Sequence, residues 1–165
     1  MKTPIPIKRH PALVSFSKDH HFGLLLTWKI RQGFKNDISP ERIADYVLFF
    51  FKTDLEKHFT EEEDLLFSQL PAGDALRQKG EADHHALRQL ISLISEHKGD
   101  AALLNQFADK LQTHIRFEER QLFNHLQERL GPDQLALIAK QFSNDGKRKD
   151  ENWTDTFWEK NNAIH

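Results

Sequence analysis

The 165-residue chain has no cysteine, a single methionine, a single tyrosine and no excess of either charge, with 23 Lys and Arg against 25 Asp and Glu. The missing thiols exclude disulfides, thiolate-held iron–sulfur clusters and a cysteine nucleophile. Charges of both signs are interleaved, so there is no basic stripe and no nucleic-acid partner is expected. No apolar run approaches the roughly 18 to 20 residues that cross a bilayer, and no membrane partner is expected either. Met1 to Pro11 lacks an apolar segment of secretory type, which makes a cytoplasmic location the expectation. At this length one domain with one well-buried core is expected.

Histidine and phenylalanine are abundant instead, with 10 and 13 copies, and the histidines are patterned. The pattern His-x-x-x-Glu-Glu-x-x-Leu-Phe-x-x-Leu occurs at His58 to Leu70 and again at His114 to Leu126. Upstream of the first copy stands Asp19-His20-His21, and upstream of the second Asp83-His84-His85. The chain therefore reads as one α-hairpin written twice.

Apolar residues recur at helical spacing from about Leu13 to Gly33, and nothing in the chain alternates like a strand. Ser39-Pro40 marks the start of a second helix reaching about Leu70, where Pro71-Ala72-Gly73 stops it. A third runs from Asp74 to about His97, with Gly80 as a candidate break or kink near its start, and a fourth from about Ala101 to Leu130. The fold class predicted is all-α, an antiparallel up-and-down four-helix bundle with a short extra C-terminal helix and tail. Residues 1–131 form the bundle in this reading. Residues 132–165 add a helix from Asp133 to Phe142, a polar linker at 143–152 and an aromatic tail with Trp153, Phe157 and Trp158. The tail is expected to dock on the bundle or serve a neighbouring subunit or partner.

Residues four apart on a helix lie about 40° apart on successive turns, so His58 projects with Glu62 and His114 with Glu118. Both pairs fall in apolar stripes, where an unpaired carboxylate would cost several kcal/mol, on the order of the penalty for any isolated buried ion. A metal ion removes that cost, and imidazole with carboxylate suits Fe(II), Mn(II) or Zn(II). On the upstream helices His84 shares its face with Leu87 and Ile91 and is the inward candidate, whereas His85 sits with Arg88 and Ser92. His20 has Phe16 and Leu24 near it and is the corresponding ligand, with His21, which stacks over Leu24, Leu25 and Trp28, as the alternative. Asp19 and Asp83 are candidates to orient neighbouring imidazoles, although an exposed aspartate is the commoner case. Glu63 and Glu119 are expected to face water or hold outer contacts. His125 reads as a polar end-of-bundle residue, Tyr46 as core, and His10, His97 and His165 as solvated.

Together these residues resemble the hemerythrin-like HHE cation-binding domains over roughly Leu13 to Leu130. The family's motifs fall on His20, on His58 with Glu62, on His84, and on His114 with Glu118. The resemblance implies a non-haem di-iron centre bridged by Glu62 and Glu118. It departs from oxygen-carrying hemerythrins at Arg88, where those have a second third-helix histidine, and at Glu118, since their last carboxylate lies five residues after its histidine, a position that Glu119 occupies here. Fewer imidazoles leave open coordination positions, which moves the expectation from oxygen storage toward sensing, iron handling or redox chemistry.

The expected function is therefore binding or sensing of oxygen, nitric oxide or peroxide at two iron ions, with manganese or zinc as other metals. A di-metal enzyme turning over peroxide or nitric oxide, and a metal-free helical interaction module, are the alternatives. No catalytic residue beyond the metal ligands is identified.

Overall fold

Among the described residues proline opens three of the five helices, where its missing N–H is no loss and its fixed φ suits the first turn. The computed structural model describes residues 8–142 and 153–159. The stretch read as a polar linker, 143–152, and His165 lie outside the described residues. Helix α1 spans Pro11–Lys35. Helix α2 is a continuous rod of Pro40–Phe50, a π-helical turn Phe51–Leu55, and Glu56–Leu65. Helix α3 is Ala75–Glu96; α4 is a second composite rod of Ala101–Phe117, a π-helical turn Glu118–Leu122, and Phe123–Arg129; α5 is Pro132–Gln141. The chain is all-helical, with no strand among the described residues.

Side chains close several helix ends. Asp74 accepts from the Leu76 and Arg77 N–H groups at 3.0 Å each, and Asp100 does the same for Ala102 and Leu103 at 3.0 and 3.3 Å. His10, expected to be solvated, instead caps α1 by accepting the Ala12 N–H on Nδ1 at 3.0 Å. Ser39 occupies the N-cap position of α2 without a side-chain bond, so Pro40 supplies that start signal. The α-helical part of α2 ends at Leu65, earlier than expected, and tightens into a 3₁₀ turn at Phe67–Gln69.

Gly80 does not break α3. An added Cβ there would come within 2.7 Å of Phe67 Cζ, so the glycine lets α3 approach that ring.

Two apolar clusters form the core. One gathers Phe16, Leu66, Phe67, Phe123 and Leu126; the other gathers Ile30, Val47, Leu87, Leu104 and Leu111. Along α1 the order is Phe16, His20, Ile30; along α2 and its C-cap it is Val47, His58, Leu66; along α3 it is Leu76, His84, Ile94; along α4 it is Leu104, His114, Leu126. The histidines and two glutamates thus form a polar belt between the clusters.

The last helix and the C-terminal segment cover opposite clusters. Phe142, the C-cap of α5, packs on Phe16 with ring centroids 4.2 Å apart. Phe157 is fully buried in the other cluster, beside Tyr46 and over Gly33. Arg42 holds this segment through Asp155, with N–H donors 3.0 and 2.5 Å from the two carboxylate oxygens. Beneath it, the buried Lys29 ammonium donates to Tyr46 Oη at 3.0 Å and lies 4.0 Å from the centre of the Trp158 ring.

Candidate metal centre

The belt brings all six sequence-predicted ligands together. Ligand atoms of His20, His58, Glu62 and Glu118 lie within 4.8 Å of one another, and so do those of Glu62, His84, His114 and Glu118. Both carboxylates belong to both groups. All six residues are buried, with Glu62, His84 and Glu118 at 0% exposure, whereas His21 and His85 are exposed. Between the alternatives left by the sequence, His20 and His84 are the histidines at the centre.

The helical i, i+4 spacing produces the inner contacts. His58 Nε2 lies 3.2 Å from Glu62, and His114 Nε2 lies 3.1 Å from Glu118. His84 Nε2 reaches the other oxygen of Glu62 at 3.2 Å, and His20 Nε2 reaches Glu118 at 3.0 Å. Only the last of these is aligned as a hydrogen bond. Nε2 of His58, His84 and His114, both oxygens of Glu62 and Oε2 of Glu118 are buried without a hydrogen-bond partner. Orphaned buried polar atoms are rare because each carries a desolvation cost. Six of them converging on one point, four histidine and carboxylate donors to each group, fit a cation of the kind bound by imidazole and carboxylate.

Every imidazole is also held from behind, on Nδ1, by a carboxylate. Asp19 Oδ2 meets His58 at 3.2 Å, Glu119 Oε1 meets His20 at 2.8 Å, Glu63 Oε2 meets His84 at 2.6 Å, and Asp83 Oδ2 meets His114 at 2.9 Å. A proton on Nδ1 leaves Nε2 as the lone-pair atom facing inward, the tautomer a metal requires. The two aspartates act within their own half of the repeat; the two glutamates reach across to the other half. Asp83 is buried, unlike the commoner exposed helix aspartate, and is paired with Lys79 and Lys110 at 3.0 and 3.2 Å. Of the two expectations for Glu63 and Glu119, facing water or holding outer contacts, the second describes their place on His84 and His20.

The electrostatics follow from burial and these pairs. Burial opposes charge on His20, yet Glu118, Glu119 and Glu62 together hold it well above the ordinary histidine value. Burial also opposes charge on His58 and His114, but Glu62 with Asp19, and Glu118 with Asp83, push each up to about 9. Glu62, burial notwithstanding, is held well below the usual carboxylate range by His58, His20 and His84. Without a cation, these carboxylates favour protonated imidazoles at the centre.

Apolar walls limit access. A small cavity beside the centre, with room for about one water-sized molecule, is lined by His20, Gly23, His58, Phe59, His114 and Ile115 among others. Phe59 stacks on His84 at 4.0 Å and Phe123 on His20 at 5.3 Å.

Sequence reading did not find the cations behind the carboxylates, Arg9, Lys79, Arg88 and Lys110. Lys79 is legible as an i, i+4 partner of Asp83, but Arg9 carries no local signal. Of the remaining histidines, His125 pairs with Asp74 at 2.7 Å and His97 is exposed.

A family model described as the hemerythrin HHE cation binding domain matches residues 19–126. No curated protein and no solved structure matches the chain.

Proposed function

The chain belongs to the hemerythrin HHE cation-binding family, and from that premise we propose that it holds two non-haem iron ions and binds a small ligand, oxygen, nitric oxide or peroxide, beside them. The observation that carries this reading is the sharing of Glu62 and Glu118 between two overlapping four-residue groups. A carboxylate has two oxygens and joins two ions, which an imidazole acting through one nitrogen does not. His20 and His58 serve one ion in this reading, His84 and His114 the other. The alternating order of the two apolar clusters along successive helices supports the antiparallel up-and-down arrangement, with residues 1–131 as the bundle and 132–165 as an addition to it.

Bound iron would supply a redox-active Lewis acid. The protein's own part is to present lone pairs, hold the outer protons and exclude bulk water. Asp19, Glu63, Asp83 and Glu119 keep each ring in one tautomer. Two histidines and two shared carboxylates per ion leave coordination positions open, and the neighbouring cavity admits a molecule of only a few atoms. A cavity of this size favours binding of a small ligand over hydrolysis of a bulky substrate.

The test is metal content per chain after purification without a nickel column, together with the visible spectrum in air. About two irons per chain and oxo-bridged di-iron absorption are expected. No stoichiometric metal after anaerobic reconstitution with iron would sink the reading and leave the repeated His-x-x-x-Glu as structure.

A further inference from the structure

We propose that Arg9 and Arg88 are the positioning residues of the centre, each clamping the glutamate that orients one histidine and so serving one metal position each. The proposal rests on the two-ion reading above and deepens it.

Glu63 and Glu119 have side chains 29% and 31% exposed, close enough to water to swing away from His84 and His20. Something must hold them, because a glutamate side chain gains rotamer freedom when released. Arg88 does this for Glu63. Its Nη1 donates at 2.7 Å to Oε2, the same oxygen that meets His84 Nδ1, and its Nη2 donates at 3.3 Å to Oε1. Glu56 anchors the opposite edge of the guanidinium, with Nε and Nη2 donating at 3.1 and 3.0 Å.

Arg9 does it for Glu119, with Nη2 donating at 2.7 Å to the Glu119 carbonyl and at 3.3 Å to its Oε2. The other carboxylate oxygen is the one on His20. Each guanidinium also lies over the phenylalanine that stacks on the histidine it serves. Arg88 lies 5.6 Å from the centre of Phe59, and Arg9 lies 5.2 Å from that of Phe123.

The internal repeat does not account for this agreement. The two Asp-His pairs are offset by 83 − 19 = 64 residues, which would place the counterpart of Arg88 at 88 − 64 = 24, and that residue is Leu24. Arg9 comes from the segment before α1, Arg88 from within α3. Two unrelated positions thus supply the same Arg–Glu–His chain, and His20 and His84 belong to different metal groups. Lysine could supply the charge, but a planar fork fixes both carboxylate oxygens of Glu63 at once.

The experiment is a titration of the metal-free full-length chain with Co2+, read by its d–d absorption and by competition with a chelator, alongside melting of each metal-free variant. Wild type is expected to bind two equivalents. Arg88→Gln should weaken one step about tenfold, the lower end for loss of a group that orients a metal ligand, and leave the other step unchanged. Arg9→Gln should weaken the other step. Adding Arg88→Gln to Glu63→Gln should cause no further loss, since both break one chain of contacts. Independent, additive losses in that double variant would overturn the proposal, as would equal weakening of both steps accompanied by a lowered melting point. A wild-type chain that binds fewer than two equivalents overturns the two-ion reading, and the division of labour with it.

Discussion

Asp83 Oδ2 lies 2.9 Å from His114 Nδ1 and 3.0 Å from Lys79 Nζ, so one buried oxygen ties a histidine of α4 to a lysine of its own helix. Its carboxyl is held well below the usual range: burial pushes it up, but His114, Lys79 and Lys110 outweigh that. Asp83→Asn keeps an acceptor for His114 and removes the charge. Metal affinity is expected to fall about tenfold or more, measured by chelator competition. Unchanged affinity would remove Asp83 from the ring-orienting set.

Glu62 belongs to both candidate metal groups, whereas His58 belongs to one. Glu62→Ala is therefore expected to lose nearly all bound iron, and His58→Ala about half, measured as iron per chain. Full iron content in either variant would contradict the assignment of that residue.

The metal-free protein should be most stable on the acid side of neutrality. His58 and His114 sit at about 9 when folded, against about 6.5 in an unfolded chain. A raised histidine value contributes stability that is complete below about 6.5 and is lost as pH rises through about 9. The melting temperature without metal should fall across that window. Metal must displace these protons, so loading at pH 7 should release protons into a weak buffer and affinity should rise toward pH 9. Loading with no proton release would show the site to be proton-free beforehand.

Gly33 gives room to the C-terminal segment, since an added Cβ would lie 2.8 Å from Ile43 Cδ1 and 2.9 Å from the Phe157 ring. Gly33→Ala is expected to destabilise the fold by about 1–3 kcal/mol through overpacking. Chemical denaturation measures the loss, and a change in tryptophan fluorescence would report displacement of Trp153 and Trp158. A variant as stable as wild type with unchanged emission would mean that Phe157 shifts without cost.

Much of the site was legible because helical geometry is regular. The repeated His-x-x-x-Glu needs only the 3.6-residue period to place His58 on Glu62 and His114 on Glu118. His84 could be separated from His85 by the apolar residues on its face. His20 could not be separated from His21, because Leu24 and Trp28, which made His21 look inward, are themselves exposed at 37% and 50%. The π-helical turns were not legible: they widen α2 before His58 and α4 from Glu118 onward, and a rare single turn of this kind has no residue signature comparable to the 3.6-residue period. Gly80 misled for a similar reason, since a glycine that breaks a helix and one that admits Phe67 look alike in sequence.

The crossing of Glu63 to His84 and of Glu119 to His20 makes the two halves of the chain interdependent. Each hairpin holds the outer acceptor of only one of its two histidines, Asp19 for His58 and Asp83 for His114. A chain cut between α2 and α3 would yield pieces that each lack an outer acceptor for one ring and a shared carboxylate for the centre. Separating the halves by a few ångströms would break both glutamate braces in one motion. A cation held by ligands from both halves would act as a rivet across this seam, so that metal retention would report on how firmly the hairpins are joined.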